Sequence, residues 1–400
     1  MGAGSTAPAA ATAGRGALTR ADRIALAASA ALVAGSLACE VVHAPALATF
    51  VVTALALAGL ASVVGRATDH LGARTSPGVT GVVQSALGNL PELFFAVFAL
   101  RAGLTAVVSA ALVGSILANV LAVLGLAFVV GGLRHGPQRF DQVGPRHLAT
   151  LFALATAALA VPSLSAHLHI AVSRHEGALS LVTAVILLVL FGLSLPASTQ
   201  GATGEVEVHS GGLWPMPLVI GVLLAASVGS AFVADWFVAA LTPAIHTLHM
   251  SEAFAGFVVV AIASNAVENV VGVRLAAQDR PDYAVSVIVQ SPLQIVYVLF
   301  PLLVLWSAAT GHGAFTLVLS PILLIVLVLA ALIVTLVVDD GESTWFEGVC
   351  LLGLYVVVAT AFWWGRGQVG LGARAGSGGA RARRSVASGH GNRTHPPRPG

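Results

Sequence analysis

The chain has 400 residues, of which 57% are hydrophobic and only 9% are charged. An ordinary soluble domain carries about a quarter charged residues, so this composition excludes a soluble globular protein. The formal net charge is only +2, which gives no indication of nucleic acid as a partner. The apolar residues come in runs of about 20, the length that crosses a bilayer as a helix. We therefore predict an all-α polytopic membrane protein.

Eleven apolar runs follow one another along the chain, and we number them as spans one to eleven. Charged residues, histidines and clusters of glycine and proline separate them. Their approximate limits are 23–42, 45–65, 78–100, 105–131, 147–166, 177–196, 215–241, 253–277, 283–308, 314–338 and 345–364. The two cysteines, Cys39 and Cys350, are interpreted as buried thiols.

The distribution of arginine predicts the side of the membrane on which each loop lies. With a cytoplasmic N-terminus, that side holds ten arginines before the tail, whereas the opposite loops hold only Arg101 and Arg174. Eleven spans would then place the Arg-rich C-terminal tail outside, which the rule disfavours. In assigning the orientation we give the loop arginines more weight than the tail, because charge close to the early helices usually determines the orientation.

An internal repeat relates the two halves of the chain. Asn89-x-x-Glu92 recurs as Asn265-x-x-Glu268, and the same offset of 176 carries Ser115 onto Ser291. The motifs lie on spans three and eight, which are five spans apart. Because successive spans alternate in direction and five is an odd number, the second copy must run through the membrane in the opposite direction. Inverted repeats are typical of secondary transporters. The expected divisions are a cytoplasmic segment 1–22, a first helix 23–44, five-helix repeats 45–196 and 215–365, a linker 197–214 and a disordered tail 366–400.

The two motifs have the chemistry of a cation site. A charged side chain at bilayer depth costs about 3 kcal/mol on insertion scales, so Glu92 and Glu268 need a bound ion or proton to neutralise them. Each asparagine lies three residues before its glutamate, on the same face of a helix. Two carboxylates and two amide oxygens would form an all-oxygen site that suits a hard cation such as Ca²⁺. Glu92 and Glu268 are thus the candidate metal ligands.

Further polar residues accompany each motif. Ser291 and Gln294 flank Pro292 in span nine, where freed carbonyls could complete a coordination shell. The secondary candidates are Ser115, Asn119, Asp69, Asp235, Gln84 and Asn269. For Ser115 alone, helix packing is favoured over ion binding. Asp69 and Asp235 lie near predicted span ends, where solvated and gating roles both remain open.

The sequence around both motifs resembles the cation/proton exchanger family of the calcium/cation antiporter superfamily. The likeness runs through "GRATDHLGARTSPGVTGVVQSALGNLPELFFAVFAL" and "GSILANVLAVLG", then through "VADWFVAALTPAIHTLHMSEAFAGFVVVAIASNAVEN" and "QSPLQIVYVLFPLLVL". It implies an eleven-helix fold in which Ca²⁺ moves one way and protons the other. Glu92 and Glu268 would bind cation or protons in turn. The path would be lined by Asn89, Asn265, Ser291 and Gln294.

The chain departs from the family pattern at the second motif. The family usually has Gly-Asn-Ala-Ala-Glu-His, whereas this chain has Ser264 at the first position and Asn269 at the last. Gln290 stands where the family has a glycine before its serine. These departures concern ion selectivity and proton coupling more than the fold.

Two other functions compete with Ca²⁺/H⁺ exchange. A Na⁺(K⁺)/H⁺ antiporter would use the same architecture with weaker demands on ligand number. A channel would not need the inverted glutamate pair, and an intramembrane metalloprotease would carry H-E-x-x-H, which the chain lacks. We expect no enzyme activity and no cofactor, with Ca²⁺ as transported substrate, protons and the lipid bilayer as partners, and a place in a prokaryotic inner or plasma membrane.

Overall fold

The computed structural model describes residues 18–72, 74, 89–141, 143–169, 171–199, 213–264, 266–311 and 315–364, without the side chains at 171–172, 195–199 and 266–269. The helices are α1 Arg20–Val41, α2 Ala46–Gly72, α3 Leu90–Arg101, α4 Thr105–His135, α5 Val143–His167, α6 Glu176–Thr199, α7 Met216–Leu248, α8 Glu252–Ser264, α9 Ala266–Ala277, α10 Pro281–Thr310, α11 Pro321–Asp339 and α12 Trp345–Trp364. Two short strands, β1 Gln138–Arg139 and β2 Glu342–Ser343, pair antiparallel.

The prediction of an all-α polytopic membrane protein is confirmed. Within the described residues, nine helices are long and apolar enough to cross a membrane. Predicted span eight is divided into α8 and α9, and predicted span three lies partly outside the described residues. The count of eleven spans therefore stays a prediction. Helices α4 and α10 are the most buried, whereas α1, α6 and α12 are mostly exposed.

The repeat is visible in the helix boundaries. Helices α3 and α9 each have 12 residues and begin 176 residues apart, directly after the two motif asparagines. Helices α4 and α10 also begin 176 residues apart. Each contains a π-helical segment at a matching place, 118–123 and 295–299. Such π segments are rare and often lie at functional sites.

Helix α3 begins at a break in the chain. Asn89 has φ −94° and ψ 12°, outside the helical region, and Pro91 is the second residue of the helix. Proline is well tolerated there, because the first turn of a helix has no intrahelical partner for its N–H groups. Glu92 therefore lies in the first turn of α3 rather than in the middle of a continuous helix.

Helices α4 and α8 pack with their backbones in contact. A Cβ atom on Gly114 would overlap the main chain of Phe257, and one on Gly256 would overlap the carbonyl oxygen of Val107. Small residues allow such close approach of membrane helices. Gly114 directly precedes Ser115, so this contact fixes the position of that hydroxyl.

Polar contacts join several helix ends at one face of the bundle. The buried side chain of Gln138 donates to the carbonyl oxygen of Ala276 at 3.1 Å and to Asp279 Oδ1 at 2.8 Å. Arg146 pairs with Asp339 at 2.6 Å. The ends of α4, α9 and α11 thus lie together, on the side that the arginine distribution predicts to be cytoplasmic.

The first helix is held by a second polar cluster. Asp22 accepts from Arg66 at 3.0 Å and from the indole N–H of Trp214 at 3.2 Å. His70 stacks on Trp214 with 4.5 Å between the ring centroids. The start of α1 is therefore joined to the end of α2 and to the segment that precedes α7.

Two expectations about individual residues are wrong. Asp235 is not near a span end, because α7 continues through Pro243 to Leu248, thirteen residues beyond it. The sequence Thr242-Pro243 resembles a helix end, but packing against α2 and α3 outweighs the local effect of the proline. Cys350 is exposed on α12 and Cys39 is partly exposed, so neither is a buried thiol.

We expect Gly114→Ala to destabilise the protein, since the added methyl group would push α4 away from α8. Overpacking of this kind typically costs about 1–3 kcal/mol. Gly221→Ala is the matched control, because Gly221 lies on the exposed side of α7 with open space around it. Thermal unfolding in detergent measures the difference. Equal midpoints for the two variants would contradict the close contact.

Candidate functional site

The candidate site lies where the first turn of α3 meets the middle of α4 and α10. It contains six of the residues that the sequence singled out. All are buried in the structure: Asn89, Glu92, Ser115, Asn119, Ser291 and Gln294. Four of them come from the first repeat and two from the second, so the two halves of the chain meet here.

Glu92 is the charged centre of this group. Its side chain is only 3% exposed, and the hydroxyl of Ser115 donates to its Oε1 at 2.5 Å. Hydrogen bonds between a hydroxyl and a carboxylate are characteristically this short, because the charge strengthens them. Glu92 also lies in the first turn of α3. The partial positive charge at a helix N-terminus favours a carboxylate at that position.

Two hydrogen bonds cross from the first repeat to the second. Asn89 Nδ2 donates to Gln294 Oε1 at 3.1 Å, and Asn119 Nδ2 donates to Ser291 Oγ at 3.2 Å. Asn119 Nδ2 also lies 3.1 Å from the main-chain oxygen of Ser115. That oxygen lies three residues before the π segment of α4, where the regular helical hydrogen bonding changes. Asn119 therefore ties the Ser115 turn to α10.

The second glutamate occupies the equivalent place in the backbone. Glu268 is the third residue of α9, as Glu92 is the third residue of α3. The side chains of Glu268 and Asn269 are not described, and Asn265 and Gln84 lie outside the described residues. The arrangement of these four side chains stays a prediction.

The two aspartates lie elsewhere. Asp69 is exposed near the end of α2, and Asp235 is exposed on α7, where it lines a cleft shared with Arg101. Gln290, which departs from the family pattern, is exposed on α10 beside the buried Ser291.

The donor set indicates a cation site built mainly of oxygen atoms. In the part of the chain that the structure describes, no three His, Cys, Asp or Glu side chains come together. The Glu92 carboxylate instead has hydroxyl and amide groups around it. Oxygen ligands of these types suit Ca²⁺. Burial away from water strengthens the attraction between the carboxylate and a cation.

The sequence did not reveal which polar residues pair. Nothing in the pattern linked Asn89 to Gln294, or Asn119 to Ser291, because the partners lie 205 and 172 residues apart. The cleft shared by Arg101 and Asp235 is not predictable from the sequence either, because these residues lie 134 positions apart in the chain. A carboxylate within the predicted span 215–241 was the available sequence signal.

Comparisons with known proteins agree with the fold and with the resemblance to exchangers. A family model described as sodium/calcium exchanger protein matches residues 45–200 and 218–364. A Ca²⁺/H⁺ antiporter from Synechocystis sp. is 32% identical over 338 residues, covering 78% of this chain and 90% of that protein. The Ca²⁺/H⁺ antiporter ChaA of Bacillus subtilis is 32% identical over 330 residues, covering 81% and 94% respectively.

Solved structures have the same architecture. The structure of native YfkE matches with a TM-score of 0.74 and 31% identity, covering 85% of this chain and 99% of that one. The H⁺/Ca²⁺ exchanger CAX matches with a TM-score of 0.70 at 17% identity, a likeness that concerns the fold alone. The resemblance to cation/proton exchangers is confirmed, as is the expectation of a multi-pass protein of the prokaryotic plasma membrane. Since the family model covers most of the chain, this protein belongs to the sodium/calcium exchanger family.

Proposed function

We propose that this chain is a Ca²⁺/H⁺ antiporter that works by alternating access, with Glu92 and Glu268 binding cation or protons in turn. The observation that carries the proposal is the buried Glu92 carboxylate, held by Ser115 in a group of polar side chains from both repeats. The relatives named Ca²⁺/H⁺ antiporters support the choice of ions.

The chemistry follows from the energy of a buried carboxylate. An ionised carboxylate inside a membrane protein is stable only when a cation or a proton neutralises it. Two glutamates match the charge of one divalent ion, and both can take up protons when the ion leaves. Ca²⁺ and protons would therefore compete for the same groups. Occupancy by one excludes the other, which is the requirement for exchange rather than co-transport.

Ser115 would take part in both states of the site. Its hydroxyl donates to Glu92 when no cation is bound, and rotation about the C–O bond would turn an oxygen lone pair towards a bound ion. The amides of Asn89 and Gln294 each carry an oxygen that could serve in the same way. The site would thus change partners without large movement of its side chains.

The two repeats, 45–196 and 215–365, are proposed as the units whose relative movement opens the site to each side. The binding group lies between them, as in other inverted-repeat transporters. The hydrogen bonds from Asn89 to Gln294 and from Asn119 to Ser291 join one unit to the other beside Glu92. Binding or release of an ion at Glu92 would therefore alter contacts between the two repeats.

We expect Glu92→Gln and Glu268→Gln each to abolish exchange, since glutamine keeps the shape but removes the charge and the exchangeable proton. Glu40→Gln is the matched control, because Glu40 is exposed at the end of α1. The assay follows collapse of an imposed pH gradient in proteoliposomes on addition of Ca²⁺, Na⁺, K⁺ or Mn²⁺. Near wild-type flux in either site variant would contradict the claim that both carboxylates are essential for exchange. Collapse by Na⁺ or K⁺ but not Ca²⁺ would favour the alternative antiporter.

We expect Asn119 and Ser291 to be energetically coupled. Asn119→Ala would leave the Ser291 hydroxyl without its amide donor and would remove one of the donors to the Ser115 carbonyl, a loss of about 1–3 kcal/mol for buried groups. In a double-mutant cycle with Ser291→Ala, the coupling should be about 0.5–3 kcal/mol, the range for residues in direct contact. Calcium-dependent thermal stabilisation should weaken in parallel.

Ser230→Ala provides the matched control for this cycle. Ser230 is also fully buried, on α7, but its hydroxyl has no hydrogen-bond partner among the described residues. Removal of this hydroxyl should leave the free energy of unfolding unchanged or raise it. The effects of Ser230→Ala and Asn119→Ala on that free energy should be additive. Additivity of Asn119→Ala with Ser291→Ala as well would show that the contact across the repeats contributes nothing.

A further inference from the structure

The C-terminal end of α9 is held by side chains from the first repeat. Gln138 Nε2 donates to the carbonyl oxygen of Ala276 at 3.1 Å and to Asp279 Oδ1 at 2.8 Å. The ring Nε2 of His135 lies 3.1 Å from the carbonyl oxygen of Ala277. The last carbonyl groups of a helix have no partner within that helix, so these contacts supply partners from another part of the fold.

Gln138 is itself fixed on both sides. Its side chain is buried, and its backbone pairs with Ser343 between β1 and β2. A Cβ atom on Gly131 of α4 would overlap Gln138 Oε1, so the glycine leaves the space that the carboxamide occupies. The side chain is therefore built into the junction of α4 and α9, and it is a rigid anchor for the end of α9.

Helix α9 is short enough to act as a rigid rod between this end and the site. It has 12 residues, Ala266–Ala277, so it is about 18 Å long. Ala276 lies eight residues after Glu268, a distance of about 12 Å along the axis. A displacement of the Ala276 end along the helix axis therefore moves the backbone of Glu268 by the same amount.

The apolar packing of α9 defines its axial position less sharply. Near the middle of the helix, a Cβ atom on Gly272 would come within 2.5 Å of the Ile288 side chain. Contacts between apolar groups are not directional, whereas hydrogen bonds weaken steeply when their distance and angle change. The two hydrogen bonds of Gln138 are thus well suited to hold α9 at one position along its axis.

The first repeat has no equivalent of this anchor. Gly103 corresponds to Asp279 at the offset of 176, and both residues have a left-handed backbone, with φ of +78° and +60°. A Cβ atom on Gly103 would have no neighbour within 4 Å among the described residues. At the site end of α3, the Ser115 hydroxyl binds Glu92 directly. The far end is therefore anchored by side chains in α9 and not in α3.

The position of α9 matters more for a divalent cation than for a proton. Oxygen ligands of Ca²⁺ lie at about 2.3–2.6 Å, so one ion bound by two carboxylates requires both at defined positions. A proton binds to one carboxylate alone. Loosening of α9 would therefore weaken Ca²⁺ binding while leaving proton binding nearly unchanged.

We propose that Gln138 is a positioning residue for Glu268. Through its two hydrogen bonds at the end of α9 it fixes this helix along its axis, and so sets the distance between Glu268 and Glu92. Gln138 acts through α9 and does not contact the ion. The inference rests on the proposed function, in which both glutamates bind one Ca²⁺.

Exchange in proteoliposomes tests this role. In Gln138→Ala, the apparent KM for Ca²⁺ should rise at least about fivefold, because a hydrogen bond to a charged group is lost. The kcat should change by less than about twofold, since the chemistry of the carboxylates is unaltered. With Ca²⁺ at the same multiple of each KM, the pH profiles of variant and wild type should superimpose. Gln278→Ala is the matched control, because Gln278 is exposed just beyond α9, and it should change neither constant.

Two further variants separate positioning from a general loss of stability. Gln138→Glu keeps the volume but places a carboxylate against Asp279, so it should raise KM as Gln138→Ala does. Asp279→Asn keeps an acceptor oxygen and tolerates the left-handed backbone, so its KM should stay near the wild-type value. An unchanged KM in both Gln138 variants, a fall in kcat alone, or an equal rise of KM in Asp279→Asn would overturn the proposal.

The hold of Gln138 on α9 is tested without ions, so its result stands even if the proposed function fails. Nitroxide labels are attached at Val270→Cys on α9 and Leu126→Cys on α4, in a chain with Cys39→Ser and Cys350→Ser. Both label positions are well exposed, at 67% and 44%. Pulsed EPR should show a broader distance distribution in Gln138→Ala than in the chain with Gln138 intact, and no broadening in Gln278→Ala.

The two measurements distinguish the possible failures. Identical distance distributions in Gln138→Ala and Gln278→Ala would overturn the hold on α9. A broadened distribution with an unchanged KM would show that the position of α9 does not govern Ca²⁺ binding, which also overturns the proposal. Absence of Ca²⁺-driven proton flux in the wild-type protein would instead mark failure of the proposed function.

Discussion

The burial of the Glu92 carboxylate is the constraint on which the rest of the site depends. A charged group at this depth is unstable unless partners and a counter-ion or proton compensate for lost hydration. The chain provides a helix start at Leu90, a hydroxyl from Ser115 and amides on both sides. Each of these features stabilises negative charge or offers oxygen to a cation. None of them neutralises the carboxylate permanently, which leaves that role to the transported ions.

The two repeats have matching helix boundaries but contribute different polar groups to the site. At the offset of 176, the helix starts and the π segments of α4 and α10 correspond, and Ser115 corresponds to Ser291. Asn119, however, corresponds to Ile295, and Gln294 corresponds to Ala118. Each repeat therefore supplies one amide that the other lacks, and both amides bond across the repeats. The site is symmetric in backbone and asymmetric in chemistry.

The sequence was sufficient for features that depend on local composition or on a repeated motif. Apolar runs predicted the helices, and a glutamate repeated with its asparagine predicted the buried Glu92 group. Features that depend on contacts distant in the chain were not predictable. The continuation of α7 past Pro243, the close approach of Gly114 to Phe257 and the pairing of Asn119 with Ser291 all arise from tertiary packing. Asp235 was found in the sequence, but its place on a cleft shared with Arg101 depends on the packing of α3 against α7.

The central claim is that the same carboxylates bind Ca²⁺ and protons in competition. Its most direct test is the release of protons when Ca²⁺ binds to the purified protein in weakly buffered detergent solution. If the account is right, the wild-type protein releases protons on binding Ca²⁺ at a pH where the site carboxylates are partly protonated, and Glu92→Gln releases fewer. Binding of Ca²⁺ by the wild-type protein with no release of protons at any pH near neutrality would contradict it.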